Sequence, residues 1–370
     1  MACPIVSVES FANRWLCLVR VVAADGMAGW GQCAPFNADI TQTILHRQVA
    51  PQVLGLDDAD PDAISQRCID IEYKFFGTYL CRAVAGVDSA LWDLAGKRAG
   101  RSVCELLGGR VRPRRVYASS MSRQTTPEQE VDRLARLRDE QGFSAFKIKI
   151  GGRMGHDLGR NADAAPGRSE GLIRLARARL GADAHLIADA NGSYSPDVAI
   201  EWGRRLERLG YAQYEEPCPF WEIEQTAKVA SALDIPVSGG EQDNSLPHWQ
   251  RLLDMGAVDI AQPDVCYVGG VSRLVRVARM ASEKGISVMP HSANHSMLMV
   301  FTLHLAASLP NAAPLAEWCI EHNQWTNGLY EPPLRVENGF AVFPDAPGWG
   351  VTPCESWLRS AGRMESRLEG

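Results

Sequence analysis

The chain has 370 residues, of which 46% are hydrophobic and 22% are charged, and its formal net charge is −6. This composition is that of an ordinary globular protein, and the negative charge gives no reason to expect a nucleic-acid partner. The most apolar stretch, "SMLMVFTLHLAASLP", is too short to span a membrane, and ten scattered cysteines without a CxxC pair indicate reduced thiols. We therefore predict a cytoplasmic protein without a membrane partner.

Residues 1 to 112 have the pattern of an α+β domain. Two apolar runs in "WLCLVRVVAADGMAGWGQC" flank "ADG", which predicts an antiparallel hairpin. The stretches "TQTILHRQVAPQVLG" and "AVAGVDSALWDLAGKRAG" show helical spacing, and each ends at a glycine. The segment "VESFANR" is short and is interpreted as lying before the first strand of this domain.

Residues 113 to 325 alternate short apolar strands with amphipathic helices. The eight predicted strands are "RVYASS", "AFKIKIG", "HLIADAN", "AQYEEP", "PVSGGE", "DIAQPDV", "SVMPHS" and "PLAEW". Such an alternation is typical of a parallel (β/α) barrel. The remaining residues, 326 to 370, are too rich in glycine and proline for another barrel unit and are predicted to return to the first domain.

Ionisable residues recur at the predicted strand ends, about one βα unit apart. They are Lys147, Lys149, Asp189, Glu215, Glu241, Asp264, His291 and Glu317. A single acid at a strand end usually caps the next helix, but capping does not predict an ionisable group on seven successive strands. Because the carboxyl ends of barrel strands form the active site in this fold, we expect these side chains to converge.

Charge repulsion makes this set informative. Lys147 and Lys149 are two residues apart on one strand, so they face the same side and must meet anionic groups there. Asp189, Glu215 and Glu241 would repel one another unless a cation lay between them. Oxygen ligands favour a hard ion, with Mg²⁺ first and Mn²⁺ as a possible substitute. Glu216 should point away from Glu215 and is interpreted as part of a structural ion pair.

A glycine-rich polar insert, "GGRMGHDLGRNADAAPGRSEG", occupies residues 151 to 171 after the second barrel strand. An insert at this place lies at the mouth of a barrel. Arg153, His156 and Arg160 are therefore candidates for contacting a distal anionic group of a ligand, although such residues are more often part of a solvated loop.

The combined pattern resembles the mandelate racemase branch of the enolase superfamily. The motifs that carry the resemblance are "KIK", "DAN", "EEP", "GGE", "QPD", "PH" and "LAE" on the second to eighth strands, together with "GVDSALWDLAGKRAGRSVCELLGG" and "PLRVENG" outside the barrel. The resemblance implies a modified (β/α)7β TIM barrel with an α+β capping domain, which the N-terminal region and the C-terminal tail form together. It also implies a homo-oligomer, either a dimer or an octamer.

The resemblance assigns a role to each strand-end residue. Asp189, Glu215 and Glu241 correspond to the Mg²⁺ ligands. Lys149 corresponds to the base on one face of the substrate, and His291, paired with Asp264, corresponds to the acid or base on the other face. The predicted substrate contacts are Lys147, Asn191 and a protonated Glu317.

The expected activity is Mg²⁺-dependent dehydration of a small sugar acid, an aldonate or an aldarate, by a hydro-lyase. One base removes the proton alpha to the carboxylate, and His291 assists loss of the β-hydroxyl to give a 2-keto-3-deoxy acid. The alternative on the same scaffold is a racemase or epimerase of an α-substituted carboxylate. A Schiff-base aldolase that uses Lys147 or Lys149 as nucleophile, and a ligand-binding barrel without catalysis, are the other two hypotheses.

Overall fold

The computed structural model of the protein describes residues 3–153 and 159–369. The strands are β1 (Ile5–Ala12), β2 (Cys17–Ala23), β3 (Ala28–Gln32), β4 (Arg114–Ser119), β5 (Ala145–Lys149), β6 (His185–Asp189), β7 (Gln213–Glu215), β8 (Val237–Gly239), β9 (Ile260–Ala261), β10 (Ser287–Val288), β11 (Ala316–Cys319), β12 (Tyr330–Glu331), β13 (Arg335–Glu337), β14 (Phe340–Val342), β15 (Thr352–Pro353) and β16 (Gly362–Arg367).

The α-helices are α1 (Ala38–Ile44), α2 (Ala50–Val53), α3 (Pro61–Ile71), α4 (Thr78–Ala99), α5 (Val103–Leu106), α6 (Pro127–Gln141), α7 (Arg168–Leu180), α8 (Pro196–Arg208), α9 (Ile223–Ala232), α10 (Leu246–Asp254), α11 (Val265–Val268), α12 (Val271–Glu283), α13 (Met297–Ser308) and α14 (Glu355–Ser360). A π-helical turn, Leu45–Val49, joins α1 to α2, and two 3₁₀ turns occupy Tyr73–Phe75 and Gln324–Thr326.

The first sheet is antiparallel, with the strand order β16-β1-β2-β3. The predicted hairpin is confirmed as β2 and β3, with Leu18 opposite Gln32. The long helix α4 packs directly on this sheet. A Cβ atom at Gly31 would lie 2.3 Å from the carbonyl oxygen of Gly86, so only glycine allows the two backbones to approach so closely.

The interpretation that "VESFANR" lies before the first strand is wrong, because most of it lies in β1. This strand pairs with β2 on one side and with β16 on the other. Its polar Glu9 hid the strand pattern, and in the structure Glu9 accepts hydrogen bonds from Arg20 at 3.3 Å and from Arg363 at 3.1 Å. Long-range partners on the neighbouring strands thus stabilise a charge that the local sequence leaves unexplained.

The second sheet forms the (β/α)7β barrel, which confirms the predicted fold class. Strands β4 to β10 are parallel neighbours in chain order, and β11 pairs with β4 to close the barrel. The gap between β10 and β11 is bridged by Val288 and Ala312. In the central strands Lys149, Asp189 and Glu215 lie side by side in register, so the barrel itself brings these three charges together.

The last part of the chain contacts both sheets. Strand β16 pairs with β1, whereas the hairpin of β13 and β14 pairs with barrel strand β4. The boundaries at residues 112 and 325 remain predictions.

Two buried carboxylates of α4 join the first domain to the rest of the molecule. Asp88 accepts hydrogen bonds from the Ser65 hydroxyl at 2.7 Å and from the Ser272 backbone N–H at 3.2 Å, so it caps helix α12 of the barrel. Asp93 accepts the backbone N–H of Trp30 at 2.7 Å and that of Trp349 at 2.8 Å. The bond from Ser272 to Asp88 thus ties the first domain to the barrel, and the bond from Trp349 to Asp93 ties it to the last part of the chain.

Within the described ranges, every helix is too short or too polar to cross a membrane.

Candidate active site

A cavity of about 720 Å³ opens at the carboxyl ends of the barrel strands, a size typical of small-molecule sites. Five of the predicted residues line it: Lys149, Asn191, Glu241, Asp264 and His291. Four others lie beneath its floor with no exposed surface: Lys147, Asp189, Glu215 and Glu317. The barrel therefore brings the whole predicted set together, in two layers.

The two lysines of β5 meet carboxylates, as expected. The Lys147 ammonium lies 2.5 Å from Glu215 Oε1, 2.8 Å from Glu317 Oε1 and 3.4 Å from Asp189 Oδ2. Lys149 donates a hydrogen bond to Asp189 and is 5% exposed. Lys149 thus reaches the cavity, whereas Lys147 is enclosed by three acids, and its predicted contact with a substrate carboxylate remains a prediction.

Burial and mutual repulsion perturb the acids of this floor. Burial raises the pKa of Glu215 to about 8, the charge of Asp189 adds to the rise, and Lys147 opposes it. Burial would also raise the pKa of Asp189, but Lys149 and Lys147 hold it well below its usual value. The two carboxylates therefore compete for the same cations, which leaves Glu215 the less well neutralised.

Glu216 does not form the ion pair that the sequence suggested, at least with any cation in the described ranges. Its backbone is left-handed, with φ 42°, and its buried carboxylate lines the cavity and accepts a hydrogen bond from Asn191 Nδ2 at 3.3 Å. Burial and the charge of Glu241 raise its pKa well above the usual value. Glutamate rarely adopts this backbone conformation, so the local strain turns a further carboxylate toward the site.

Glu241 and His291 form an ion pair, with Glu241 Oε2 3.3 Å from His291 Nε2. Gly240 places Glu241 there, because it has φ 102° and a Cβ atom at this position would lie 2.2 Å from the Trp249 ring. Burial would lower the pKa of His291, but Glu241 and the hydrogen bond to Asp264 raise it to about 10. His291 therefore carries a positive charge in this arrangement.

Asp264 uses its two oxygens differently. Oδ1 accepts the backbone N–H groups of Cys266 at 2.8 Å and Tyr267 at 3.0 Å, which caps the short helix α11. Oδ2 accepts a hydrogen bond from His291 Nδ1 at 2.8 Å. The ordinary capping function and the predicted pairing with histidine are thus both present in one side chain.

Both carboxylate oxygens of Glu317 accept hydrogen bonds beneath the cavity floor. Its Oε1 accepts a hydrogen bond from the Ser119 hydroxyl at 2.7 Å, and its Oε2 accepts the Ser292 backbone N–H at 2.7 Å. Burial would raise the pKa of Glu317, but Lys147 and His291 lower it to about 2. The donors and cations around both oxygens thus favour the carboxylate form, and a protonated Glu317 in contact with substrate remains a prediction.

The donor set suits a hard divalent cation. Six buried carboxylates surround two lysines and one histidine, and each carboxylate offers only oxygen ligands. The six are Asp189, Glu215, Glu216, Glu241, Asp264 and Glu317. In the described parts of the chain, no group of three or more His, Cys, Asp or Glu side chains is already gathered tightly enough to hold a metal ion. Three of these acids form ion pairs with the two lysines instead. A bound cation would therefore have to compete with Lys147 and Lys149.

An aromatic wall, which the sequence analysis missed, closes one side of the cavity. Phe36 and Trp325 line it, and their rings lie 5.9 Å apart, with Trp15 stacked on Trp325 at 6.4 Å. The three rings come from the first domain and from the segment after β11. No local pattern could have predicted them, because they are far apart in sequence.

The predicted insert residues separate into three cases. Arg153 is exposed and lines the cavity. Arg160 is outside the cavity lining and pairs with Glu222 at 2.5 Å. His156 lies outside the described residues.

Arg123, in the loop after β4, is a further cavity residue that the sequence analysis did not single out. Its Nε donates to the Gly151 carbonyl at 3.1 Å, and its Nη2 donates to Asn191 Oδ1 at 3.1 Å. The sequence offered one signal that Arg123 lines the cavity, namely its position a few residues after the first barrel strand. An arginine in such a loop is common, so this position alone did not single it out.

Two family models match the chain. Residues 2–108 match the mandelate racemase/muconate lactonizing enzyme N-terminal domain, and residues 129–357 match the enolase C-terminal domain-like model. Among curated relatives, the chain is 29% identical over 342 residues to an arabinonate dehydratase of Saccharolobus solfataricus, covering 90% of this chain and 87% of the relative.

Two solved structures have the same fold. One, from Roseobacter denitrificans and provisionally described as a racemase, is 48% identical, with a TM-score of 0.96 over 99% of this chain and 100% of that chain. The other, an L-talarate dehydratase from Polaromonas sp. JS666 in complex with Mg and L-glucarate, is 24% identical, with a TM-score of 0.85 over 99% of each chain.

Proposed function

The chain belongs to the mandelate racemase/muconate lactonizing enzyme family of the enolase superfamily, and from this membership we propose that it is a hydro-lyase that dehydrates a sugar acid. One observation carries the proposal: Lys149 and His291 both reach the same cavity above a floor of buried acids. This arrangement suits removal of a proton beside a carboxylate and delivery of a proton to a leaving group. The similarity to an arabinonate dehydratase supports the same reaction class.

The cavity lining supports a polyhydroxylated substrate. Five amide side chains are among its lining residues: Gln124, Asn191, Gln242, Asn294 and Asn323. Amides both donate and accept hydrogen bonds, so they match hydroxyl groups that do the same. An aldonate or an aldarate offers such hydroxyls along its whole length.

In the proposed mechanism, Lys149 takes the proton from the carbon alpha to the carboxylate, once its amine has given up the proton that it carries in its ion pair with Asp189. The electron pair left on that carbon forms a double bond to the β-carbon as the β C–O bond breaks. His291 donates a proton to the departing hydroxyl, which leaves as water, and the resulting enol becomes a 2-keto-3-deoxy acid. The Asp264 carboxylate, which accepts the Nδ1–H of His291, orients the ring so that Nε2 faces the cavity.

We propose that Mg²⁺ is the cofactor, with Mn²⁺ as a possible substitute, and that Asp189, Glu215 and Glu241 hold it. The excess of buried carboxylates over cations supports this assignment, and the related L-talarate dehydratase was solved with Mg. When bound, the ion would neutralise charge that develops on the substrate carboxylate as the α-proton leaves. Asn191 and Glu317 remain the predicted substrate contacts, together with Lys147.

Racemisation or epimerisation is the second candidate, and the similarity to the Roseobacter protein favours it. Both reactions begin with the same α-proton transfer, and Lys149 and His291 supply a group for each face. A semicarbazide assay for 2-keto acid across a library of aldonates and aldarates with Mg²⁺ separates the two. Keto product supports dehydration, whereas a change in optical rotation without keto product would replace this proposal by epimerisation.

We also propose that the protein acts in the cytoplasm as a homo-oligomer, without nucleic-acid or membrane partners. All ten cysteines are free thiols, which is consistent with a reducing compartment. On the first domain, Tyr73 is 66% and Phe75 is 67% exposed, and such apolar side chains suit contact with a second copy. Sedimentation velocity measures the assembly state, and a monomer at micromolar concentration would contradict the proposal.

A further inference from the structure

The guanidinium of Arg123 is held in place by neutral groups. Its Nε and Nη2 donate to the carbonyl oxygens of Gly151 and Ile150 and to the Asn191 side chain, at 3.1 to 3.3 Å. The described residues supply no carboxylate that forms an ion pair with it, although it is largely buried. A cation fixed by carbonyl oxygens at the edge of a cavity keeps its charge available for a ligand.

The outer ring of the cavity is positive, in contrast to its acidic floor. Arg153 lines the same cavity and also lacks an ion-pair partner within residues 3–153 and 159–369. Of the acids among the described lining residues, Glu216, Glu241 and Asp264 belong to the acidic set around Lys149 and His291. The fourth, Glu321, is neutralised by Arg133 at 2.8 Å and also accepts the backbone N–H of Met121 at 3.0 Å. A ligand that spans the cavity therefore meets Lys149 and His291 at its reactive end and the arginines Arg123 and Arg153 at its other end.

The position of Arg123 shows which part of the ligand it meets. Its carbonyl partners, Ile150 and Gly151, follow Lys149 directly after β5, so Arg123 lies farther out along the cavity than Lys149. Asn191 connects the two layers, because it accepts from Arg123 and donates to Glu216. A substrate whose α-carbon lies at Lys149 would extend its far end toward this arginine.

We propose that Arg123, supported by Arg153, binds a second carboxylate at the far end of the substrate, which makes the enzyme selective for dicarboxylic sugar acids over aldonates. This inference rests on the proposed function and narrows its substrate class. A guanidinium forms two parallel hydrogen bonds with a carboxylate, and partial burial strengthens the pair. The terminal hydroxymethyl group of an aldonate can form neither the two parallel hydrogen bonds nor the charge pair.

The test compares acids that share their stereocentres and differ only at the far end, namely galactarate with galactonate and glucarate with gluconate. Steady-state kinetics are measured for the wild-type enzyme and for Arg123→Met, Arg123→Lys and Arg153→Gln. We expect the wild-type enzyme to prefer the dicarboxylate. Arg123→Met should raise KM for the dicarboxylate by about 10- to 100-fold more than it raises KM for the aldonate, as for loss of a charged hydrogen bond. Arg123→Lys should restore part of this preference.

Arg160→Gln is the matched control, because Arg160 lies in the same insert as Arg153 but outside the cavity lining, so the variant removes one positive charge without changing the cavity. It should leave the ratio of the two KM values unchanged, whereas Arg153→Gln should lower the preference less than Arg123→Met does. If Arg123→Met weakens aldonate and dicarboxylate equally, or if the wild-type enzyme prefers aldonates, the inference is overturned.

Calorimetric titration separates this inference from the proposed function. Galactarate and galactonate are titrated, with Mg²⁺ present, into Lys149→Met and into Lys149→Met/Arg123→Met. Tighter binding of galactarate that depends on Arg123 supports the inference even if no sugar acid yields a keto product. Equal binding of both acids overturns it, even if dehydration is observed.

Discussion

His291 Nδ1 lies 2.8 Å from Asp264 Oδ2, so the residues after two neighbouring barrel strands form a hydrogen-bonded pair at the cavity edge. The same aspartate caps α11 through its other oxygen. This geometry fixes which ring nitrogen of His291 faces the cavity, and it makes the pair testable without disturbing the helix.

Asp264→Asn should keep the helix cap through its amide oxygen but lose the charge that holds the His291 ring. We expect kcat to fall by about 100-fold or more, within the range for loss of a positioned acid–base group. Steady-state kinetics on the best sugar acid measure the fall, and circular dichroism checks the fold. An Asn variant with wild-type kcat would show that the pair has no function in the reaction.

Substitutions of the individual acids of the site should differ in their effect on metal binding. Chelation should abolish turnover and added Mg²⁺ should restore it, and both Glu241→Gln and Glu215→Gln should abolish Mg²⁺ binding measured by calorimetry. Glu216→Gln should weaken that binding by at most about 10- to 100-fold, as for a group near the ion that is not itself a ligand.

Glu222→Gln is the control for this series, because Glu222 pairs with Arg160 outside the cavity lining. Full activity after exhaustive chelation would remove the metal from the mechanism. If Glu216→Gln abolishes binding while Glu215→Gln does not, the ligand assignment moves by one residue along the "EEP" motif.

Proton transfer should occur on two faces of the substrate, since Lys149 and His291 approach the cavity from β5 and from the end of β10. Lys149→Met should lose exchange of the α-hydrogen with deuterated solvent, together with turnover. His291→Asn should lose turnover by about 100-fold or more. NMR of recovered substrate reads the exchange, and unchanged exchange and turnover in both variants would exclude both residues as catalysts.

His304 should make stability depend on pH. It is fully buried on α13, where its Nδ1 accepts the Cys104 N–H at 3.2 Å, and burial lowers its pKa to about 3. An unfolded histidine titrates near about 6.5, so between these two values the unfolded state binds more protons. Stability from this residue is complete above about pH 6.5 and falls by about 1.4 kcal/mol for each unit of acidification below it.

Urea unfolding of the wild-type protein and of His304→Asn at pH 7.5, 6.5 and 5.5 measures this contribution. The asparagine keeps an acceptor near the Nδ1 position but cannot titrate, so its stability should fall less steeply with acidification. Parallel curves for the two proteins would contradict the assignment.

Gly240→Ala should both destabilise the fold and misplace Glu241. The added Cβ would lie 2.2 Å from the Trp249 ring and the backbone φ is 102°, so we expect a loss of about 2 kcal/mol or more and weaker Mg²⁺ binding. Gly256→Ala is the control, because it has φ 60° with no atom within 4 Å and carries backbone strain of about 1 kcal/mol alone. Equal losses in the two variants would show that the Trp249 contact is unimportant.

The barrel and its converging strand ends could be predicted from sequence, because each βα unit repeats the same local pattern. Lys149, Asp189 and Glu215 fall at the ends of consecutive strands, and parallel register then places them side by side. Glu9 shows where the same logic failed, since a charged residue in a central strand is stabilised only by partners distant in the chain.

The tertiary structure alone decided which charges face the cavity and which are buried beneath it. Strand periodicity placed Lys147 and Lys149 on one face, but three acids from different strands enclose Lys147 and leave Lys149 at the opening. Glu216 turned inward through an unusual backbone angle, and Arg123 became available because its neighbours are carbonyl groups. Such outcomes depend on contacts between distant segments, which form only when the barrel closes and the first domain packs over its mouth.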